Sequence, residues 1–566
     1  MQKYDLSGNR FRHYLCIRLQ RRDMVQNKVQ NDTIRKVYDH SIKEFSENDA
    51  FNLLGGYSYS YKEFDVAVRK VQDMLLRADI HPGDRVAIFS RSMPNWPVAY
   101  FACLTIGIVA VPILPDFTAA ELAKLLEHSE AKGLFVGSRL CGLVSESILS
   151  KLNVTILTDD LSVIRQNVEV AGGGVMEAEP KPDDLAVIIY TSGTTSSPKG
   201  VMLTQFALAM QTVFLADLFP VWKGDIFLSI LPLSHTYEAS VGMLYPFSRG
   251  ARVTYLDKAP TAAVLMPAFK EVRPTVMISV PLVVEKIYKS AVMGKIVGMK
   301  FGKAIYGFAP TRKLYHRIAA KKLKEALGGR MRMLAIGGAK LNTAAERFLY
   351  EGDMPYAVGY GLTETAPLLC LFLPGAAKIG TTGPLVSSTI EAKIGNPNAN
   401  GEGELLIKTP CIMQGYYKNP EATVEAITPD GWFHTKDMAT IDKDGYISII
   451  GRTNFMIVGP SGENIYPEEI ENVLNTNTFV SESIVYMENG KLTALVVYDN
   501  DKVRRIVGKL EGAEKDAVME KLDLKIRDFV NQKVNKFSHI SVIKGRLEPF
   551  EKTPTQKIRR GLYLPK

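Results

Sequence analysis

Residues 190–200 read YTSGTTSSPKG. Gly193 and Gly200 let backbone N–H groups come close to an anion, Thr191, Ser192, Thr194 and Thr195 add hydroxyl donors, and Lys199 adds charge. That set suits a phosphate. The loop follows an apolar, β-branched run, LAVIIY (185–190), which reads as a buried strand. GVML follows as a second strand, and Thr204 then caps a helix, QFALAMQTVFLADLF. A Walker loop needs Gly-Lys-Ser/Thr running straight into a helix. Here Pro198 precedes the lysine, Gly200 follows it, and the order is strand, loop, strand, helix, so this is a different phosphate loop.

Three further segments carry matching chemistry. GYGLTETAP (359–367) places Tyr360 between Gly359 and Gly361, where an aromatic ring can lie against a base. It also supplies Thr363 for a phosphate and Glu364 for a magnesium ion. GWFHTKDMATIDKDGYISIIGR (431–452) contributes Asp437, a carboxylate suited to a ribose diol, and Arg452 for sugar or phosphate. EKTPTQKIRR (551–560) offers Lys557 near the end of the chain. Each segment has a plainer reading alone: a turn residue for Asp437, an exposed basic tail for Lys557.

Together and in this order the segments resemble the adenylate-forming superfamily of acyl-CoA synthetases, luciferases and peptide-synthetase adenylation domains, over about residues 30–562. The resemblance implies a two-step reaction. A carboxylate attacks the α-phosphate of Mg·ATP, giving an acyl-adenylate and pyrophosphate, and a thiol such as that of CoA then displaces AMP. It implies that the 191–199 loop cradles the β and γ phosphates and that Thr191 and Glu364 bind Mg²⁺. Gly338, Ala339 and Gly359 to Gly361 would hold adenine, with Tyr360 stacking. Thr363 would reach the α-phosphate, Asp437 and Arg452 the ribose, and Lys557 the carboxylate and α-phosphate. It also implies a small C-terminal domain that turns between the two steps about a hinge near Asn454, bringing in SGENIYP (461–467). Asn454, Val458 and Gln556 depart from the residues usual in the family.

LPLSHTYE (231–238) resembles the long-chain fatty acyl branch, with His235 a candidate for shaping the acyl or adenylate site and a packed structural histidine as the plainer reading. The expected activity is therefore a long-chain fatty acid–CoA ligase. An acyl–acyl-carrier-protein ligase is the alternative within the class, since both thiols sit on a phosphopantetheine arm. A non-catalytic nucleotide-binding regulator is the alternative outside it, disfavoured by having both Glu364 and Lys557. No nucleic-acid partner is expected.

These groups need a scaffold of several cores, and 566 residues are too many for one. From Thr33 to about Ala131 helical patterns alternate with short apolar runs such as DRVAIFS (84–90), and TVMISV (275–280) is another such run. The expected fold is α/β: a large N-terminal domain (24–453) of two α/β subdomains plus a β-rich subdomain over about 380–452. A small, mobile α+β C-terminal domain (454–566) would follow. There SIVYMENGKLTALVVY reads as two strands turning at Asn489-Gly490, and KLDLKIRDFVNQKV as an amphipathic helix.

VAYFACLTIGIVAVPILP (98–115) has nearly the length of a membrane span, but Gly107, Pro112 and Pro115 make a buried helix running into a buried strand the better reading. Five scattered cysteines form no CxxC pair, which fits a reducing cytoplasm. The net charge is +9. Residues 1–23 form a basic tail, with Lys3, Arg10, Arg12, Arg18, Arg21 and Arg22 against Asp5 and Asp23. RKLYHRIAAKKLKEALGGR (312–330) reads as a basic amphipathic helix. Leu314, Ile318, Leu323 and Leu327 can form one side, with Arg312, His316, Lys321 and Lys324 in water. It is either a solvated surface or a peripheral contact with lipid headgroups.

Overall fold

The computed structural model describes residues 31–170, 179–191, 198–297, 302–458, 464–508, 510–553 and 557–565. Two eight-stranded sheets dominate. In one, Arg85–Phe89, Val109–Ile113, Ala131–Val136, Val154–Leu157 and Leu185–Thr191 run parallel, and their β-branched residues are covered on both faces. Lys199–Thr204 pairs antiparallel with Leu185–Thr191, so the phosphate loop joins two neighbouring strands, with Thr191 opposite Lys199. Thr204 then caps the helix Gln205–Leu218, its side chain accepting from the Ala207 N–H at 3.0 Å. The span-like segment is a wholly buried helix, Asn95–Leu104, leading into the buried strand Val109–Ile113.

The second sheet runs in the order Leu368–Phe372, Tyr356–Gly361, Met333–Ile336, Val276–Ser279, Ile226–Leu228, Arg252–Tyr255, Asp49–Leu53, Ser58–Ser60. Its far end comes from residues 49–60, so the chain starts one subdomain, leaves for the other, and returns. Local patterning carries no signal for that exchange. A four-stranded antiparallel sheet, Glu391–Gly395, Gly403–Lys408, Phe433–Ile441 and Ile447–Arg452, is the β-rich part. Residues after it build their own core from Ile470, Leu474, Val496, Ile526 and Val530. There Val480–Glu488 and Lys491–Tyr498 form a hairpin whose turn places Asn489 at φ 50° and Gly490 at φ 70°, as a two-residue type I′ turn requires.

The 312–330 segment meets its expectation only in part: Leu323 and Leu327 pack inward and Lys321 is exposed, but the first half of the helix differs. Its helix spans Ala309–Ala326, but the buried residues are His316 and Ala320, while Leu314 and Ile318 face outward. The cause is a polar anchor. Glu351, at the end of the neighbouring helix Thr343–Glu351, accepts two hydrogen bonds from Arg312 at 3.0 and 2.8 Å and sits 2.8 Å from His316 Nδ1. Gly352 leaves room for close approach, since a Cβ there would lie 2.6 Å from Ala320 Cβ. The ion pair and the small residues set the rotation of the helix against the aliphatic pattern of its N-terminal half. Among the described residues no helix is long and apolar enough to cross a membrane. Cys103, Cys141, Cys370 and Cys411 are unpaired thiols.

Candidate active site

The predicted residues converge where the two large sheets, the antiparallel sheet and the C-terminal unit meet. Tyr356–Gly361 delivers Tyr360, and a short turn, Thr363–Thr365, delivers Thr363 and Glu364. Gly361 is dictated by space, because a Cβ there would fall 1.9 Å from the Pro367 carbonyl oxygen. Gly338 sits at φ +85° just beyond the strand Met333–Ile336, with exposed Ala339 next. Cross-strand register places Asp437 directly opposite Arg452. Arg452 Nε lies 2.7 Å from Asp437 Oδ1, and the Tyr360 hydroxyl donates to Asp437 Oδ2 at 2.7 Å. Burial raises the Asp437 carboxyl above its ordinary range, while Arg452 and Tyr360 pull it back. Ser192, Gly193, Thr194 and Thr195 lie outside the described residues.

The loop's two flanks tie into the same place. Thr191 Oγ1 donates to the Lys199 carbonyl at 3.4 Å. The Lys199 ammonium lies 4.9 Å from the centre of the Tyr416 ring, and the Tyr416 hydroxyl donates to Glu364 Oε1 at 2.9 Å. Tyr416 thus links the phosphate-loop lysine to the candidate metal carboxylate. Sequence reasoning missed it: it stands in a two-residue strand, Gly415–Tyr416, and only its pairing with Lys199–Thr204 brings it here.

Lys557 closes the site from the C-terminal unit. The Thr553 N–H donates to the Lys557 carbonyl at 2.8 Å. The lysine is accessible from the cleft but crowded by protein. That crowding and the nearby Arg452 lower its pKa below the ordinary lysine value, against the opposing pull of Asp437, Glu364 and Glu468. Its basic neighbours are engaged elsewhere. Arg559 pairs with Glu121 at 3.2 Å, and Arg560 pairs with Glu471.

His235 faces the same lysine. Burial, with the Lys557 charge behind it, lowers its pKa to about 4. The Tyr237 N–H donates to His235 Nδ1 at 3.3 Å, so the neutral ring carries its proton on Nε2. His235, Tyr237, Gly338, Gly361 and Thr363 line the mouth of a pocket, and Leu215, Val241, Met333 and Leu371 make apolar walls. Behind it Glu238 is buried, with Oε1 accepting from the Ser229 hydroxyl at 2.5 Å. Burial lifts its pKa to about 8, so it is mostly protonated at neutral pH.

Polar contacts, beside the packing of Tyr466 on Met438 and Ile450, tie the C-terminal unit to this site. Asn342 Nδ2 donates to the Asn472 carbonyl at 2.7 Å, and Lys289 Nζ to the Val480 carbonyl at 3.0 Å. Lys340 lies 3.6 Å from Glu469, and Arg559 pairs with Glu121. Asn342 and Glu121 are also helix-capping residues, so two helix starts double as docking points.

The fold thus has two large, mostly parallel sheets, and Asp437, Arg452 and Glu364 come within electrostatic reach of the C-terminal unit's Lys557. Residues 38–417 match the model of the AMP-binding enzyme family, and the chain belongs to that family. It is similar to Long chain acyl-CoA synthetase 1 of Arabidopsis thaliana, with 29% identity over 93% of this chain and 90% of the relative. It is also similar to the long-chain-fatty-acid–CoA ligase FadD15 of Mycobacterium bovis, with 30% identity over 87% of this chain and 88% of the relative. In fold it matches the o-succinylbenzoate CoA synthetase of Bacillus subtilis in complex with its acyl-adenylate intermediate. That match has a TM-score of 0.73 at 21% identity, over 94% of this chain and 98% of the other.

Proposed function

We propose that the protein activates a long-chain fatty acid with ATP and passes the acyl group to CoA, releasing AMP and pyrophosphate. What supports this reading most is that Lys557, from the C-terminal unit, lies within electrostatic reach of Arg452, Glu364 and His235, and that His235 lines a largely apolar pocket. A carboxylate and a triphosphate repel, so their reaction needs fixed positive charge and oriented donors where they meet. Lys557 supplies the charge and the neutral His235 an Nε2–H. Asp437, held by Tyr360 and Arg452, is oriented to accept from a ribose diol.

Among the described residues no three His, Cys, Asp or Glu side chains cluster as a metal site. A single carboxylate, Glu364, joined through Tyr416 to Lys199, whose strand partner is Thr191, fits a magnesium ion that arrives on the nucleotide and keeps phosphate and water as most of its ligands. Glu364 and Thr191 would hold it, and bound there it would neutralise phosphate charge.

The test is AMP and pyrophosphate release with ATP and a panel of acids from C6 to C20, with CoA or a purified acyl carrier protein as acceptor. Turnover on long acids with free CoA is expected. Turnover with carrier protein alone would select the alternative ligase, and no pyrophosphate with any acid would overturn the reading.

The depressed pKa of Lys557 gives a pH prediction. Adenylation needs the ammonium, so its rate is full below the folded-state pKa and falls as pH rises through it. That fall should come below the ordinary lysine range, and Lys557→Arg should remove it because a guanidinium stays charged. His235 should add no step near pH 6–7, since its ring is already neutral there.

Residues 454–566 would turn about Asn454 between the half-reactions, and the contacts from Asn342 and Lys289 belong to the first. Asn342→Asp keeps the capping oxygen, which accepts from the Ala344 N–H at 2.9 Å, but loses the donor to Asn472. Combined with Lys289→Met it should slow adenylation by about 5–30-fold, the worth of one or two hydrogen bonds. Conversion of supplied acyl-adenylate by CoA should be unchanged. Equal slowing of both half-reactions would contradict a docking role.

A further inference from the structure

Helix Ala309–Ala326 has an outer face that the reaction does not use. Leu314 and Ile318, 60% and 51% exposed, project from the middle of it, and Phe308, 62% exposed, precedes the helix. Lys313, Arg317, Lys321 and Lys322 are exposed around them, with Glu325 the one exposed acid on the helix. Beside the helix runs an open groove of about 570 Å³, lined by Lys313, Arg317, Lys321 and Lys324. Across it stands Tyr350, which is exposed. Two acids also reach the groove. Glu351 is already held by Arg312 and His316, which leaves Asp353. The face is therefore cationic with aliphatic and aromatic side chains set among the cations.

That combination selects the partner. A soluble polyanion would pair with the cations but leave Phe308, Leu314 and Ile318 in water. An uncharged apolar partner would strip water from four exposed cations without replacing it. The surface of an anionic bilayer accepts both, with phosphates at the level of the ammonium groups and the headgroup–acyl boundary just beneath. We propose that this face docks the protein on anionic lipid. Phe308, Leu314 and Ile318 enter the boundary, while Lys313, Arg317, Lys321 and Lys322 meet headgroup phosphate; Lys324 is held by the Asp353 carbonyl. The apolar area is small, so the attachment is shallow, reversible and weakened by salt. Such a surface has a use if the substrate is a long-chain fatty acid, which partitions into membranes; in that sense the proposal deepens the functional reading above.

The test is flotation of the full-length protein with vesicles, without substrate. Vesicles of phosphatidylcholine and phosphatidylglycerol in equal parts should carry it at low salt and release it at high salt, and vesicles of phosphatidylcholine alone should not carry it. Leu314→Ser with Ile318→Ser should weaken vesicle binding by about tenfold or more. Lys313→Glu with Arg317→Glu and Lys321→Glu should weaken it by about 30-fold or more. Turnover of dissolved octanoate should stay at the wild-type rate in both. Wild-type flotation blind to lipid charge, or variants that float as well as wild type, would overturn the proposal. So would variants that lose octanoate turnover together with flotation, because the face would then be supporting the fold. A protein that floats as expected but releases pyrophosphate with no fatty acid would refute the ligase reading and leave the docking face standing.

Discussion

Lys557→Ala is expected to slow acyl-adenylate formation by about 10²–10³-fold, the loss of roughly 3–4 kcal/mol of transition-state stabilisation from one preorganised charge. As the carboxylate closes on the α-phosphate, negative charge gathers where this ammonium sits. The arginines near it are already engaged. Arg559 is drawn off by Glu121, Arg560 by Glu471, and Arg452 by Asp437. The second half-reaction has no such repulsion, since a thiolate attacks an adenylate already formed. The variant should therefore turn supplied acyl-adenylate and CoA into acyl-CoA at close to the normal rate. Single-turnover assays of each half-reaction measure this directly. If both fell together, Lys557 would be supporting the fold or both steps, and the turning of the C-terminal unit would lose its support.

Glu364→Gln should cost about 10²-fold in adenylation. The amide keeps the shape and can still accept from the Tyr416 hydroxyl, so the link to Lys199 survives in outline. What it loses is the negative charge that would balance a magnesium ion and that lies within electrostatic reach of Lys557 and Arg452. Titrating magnesium at fixed ATP should show a higher half-saturating concentration in the variant. Near-normal rates and an unchanged magnesium requirement would assign the metal to another group. Tyr416→Phe separates the two duties of Glu364, because it removes the hydroxyl donor and leaves the charge. Its adenylation rate should fall by about 3–10-fold, the cost of one hydrogen bond to a charged group.

Features set by neighbours in the chain could be read without a structure. The order strand, loop, strand, helix around residues 185–218 follows from an apolar run, a glycine- and hydroxyl-rich break, and a capping threonine. The hairpin at Asn489-Gly490 follows from backbone freedom that few residues have. The buried helix and strand over 95–113 follow from composition broken by Gly107. The site motifs could be recognised as types, and their order suggested one reaction.

Features set by residues distant in sequence could not be read. The 309–326 helix turns His316 inward because Glu351, on another helix, is there to hold it, and Leu314 and Ile318 turn outward as a result. Tyr416 joins the site through a two-residue strand whose only signal is its partner. Asp437 and Arg452 are a pair because antiparallel register sets them opposite each other, and the sequence between them does not say so. Lys557 was read from resemblance. What lowers its pKa is assembled from the antiparallel sheet and the C-terminal unit, and is opposed by Glu364 from the second large sheet's turn. Local sequence fixes backbone preference and burial tendency. The electric field at a site is the sum over groups that only the folded chain brings within a few ångströms of each other.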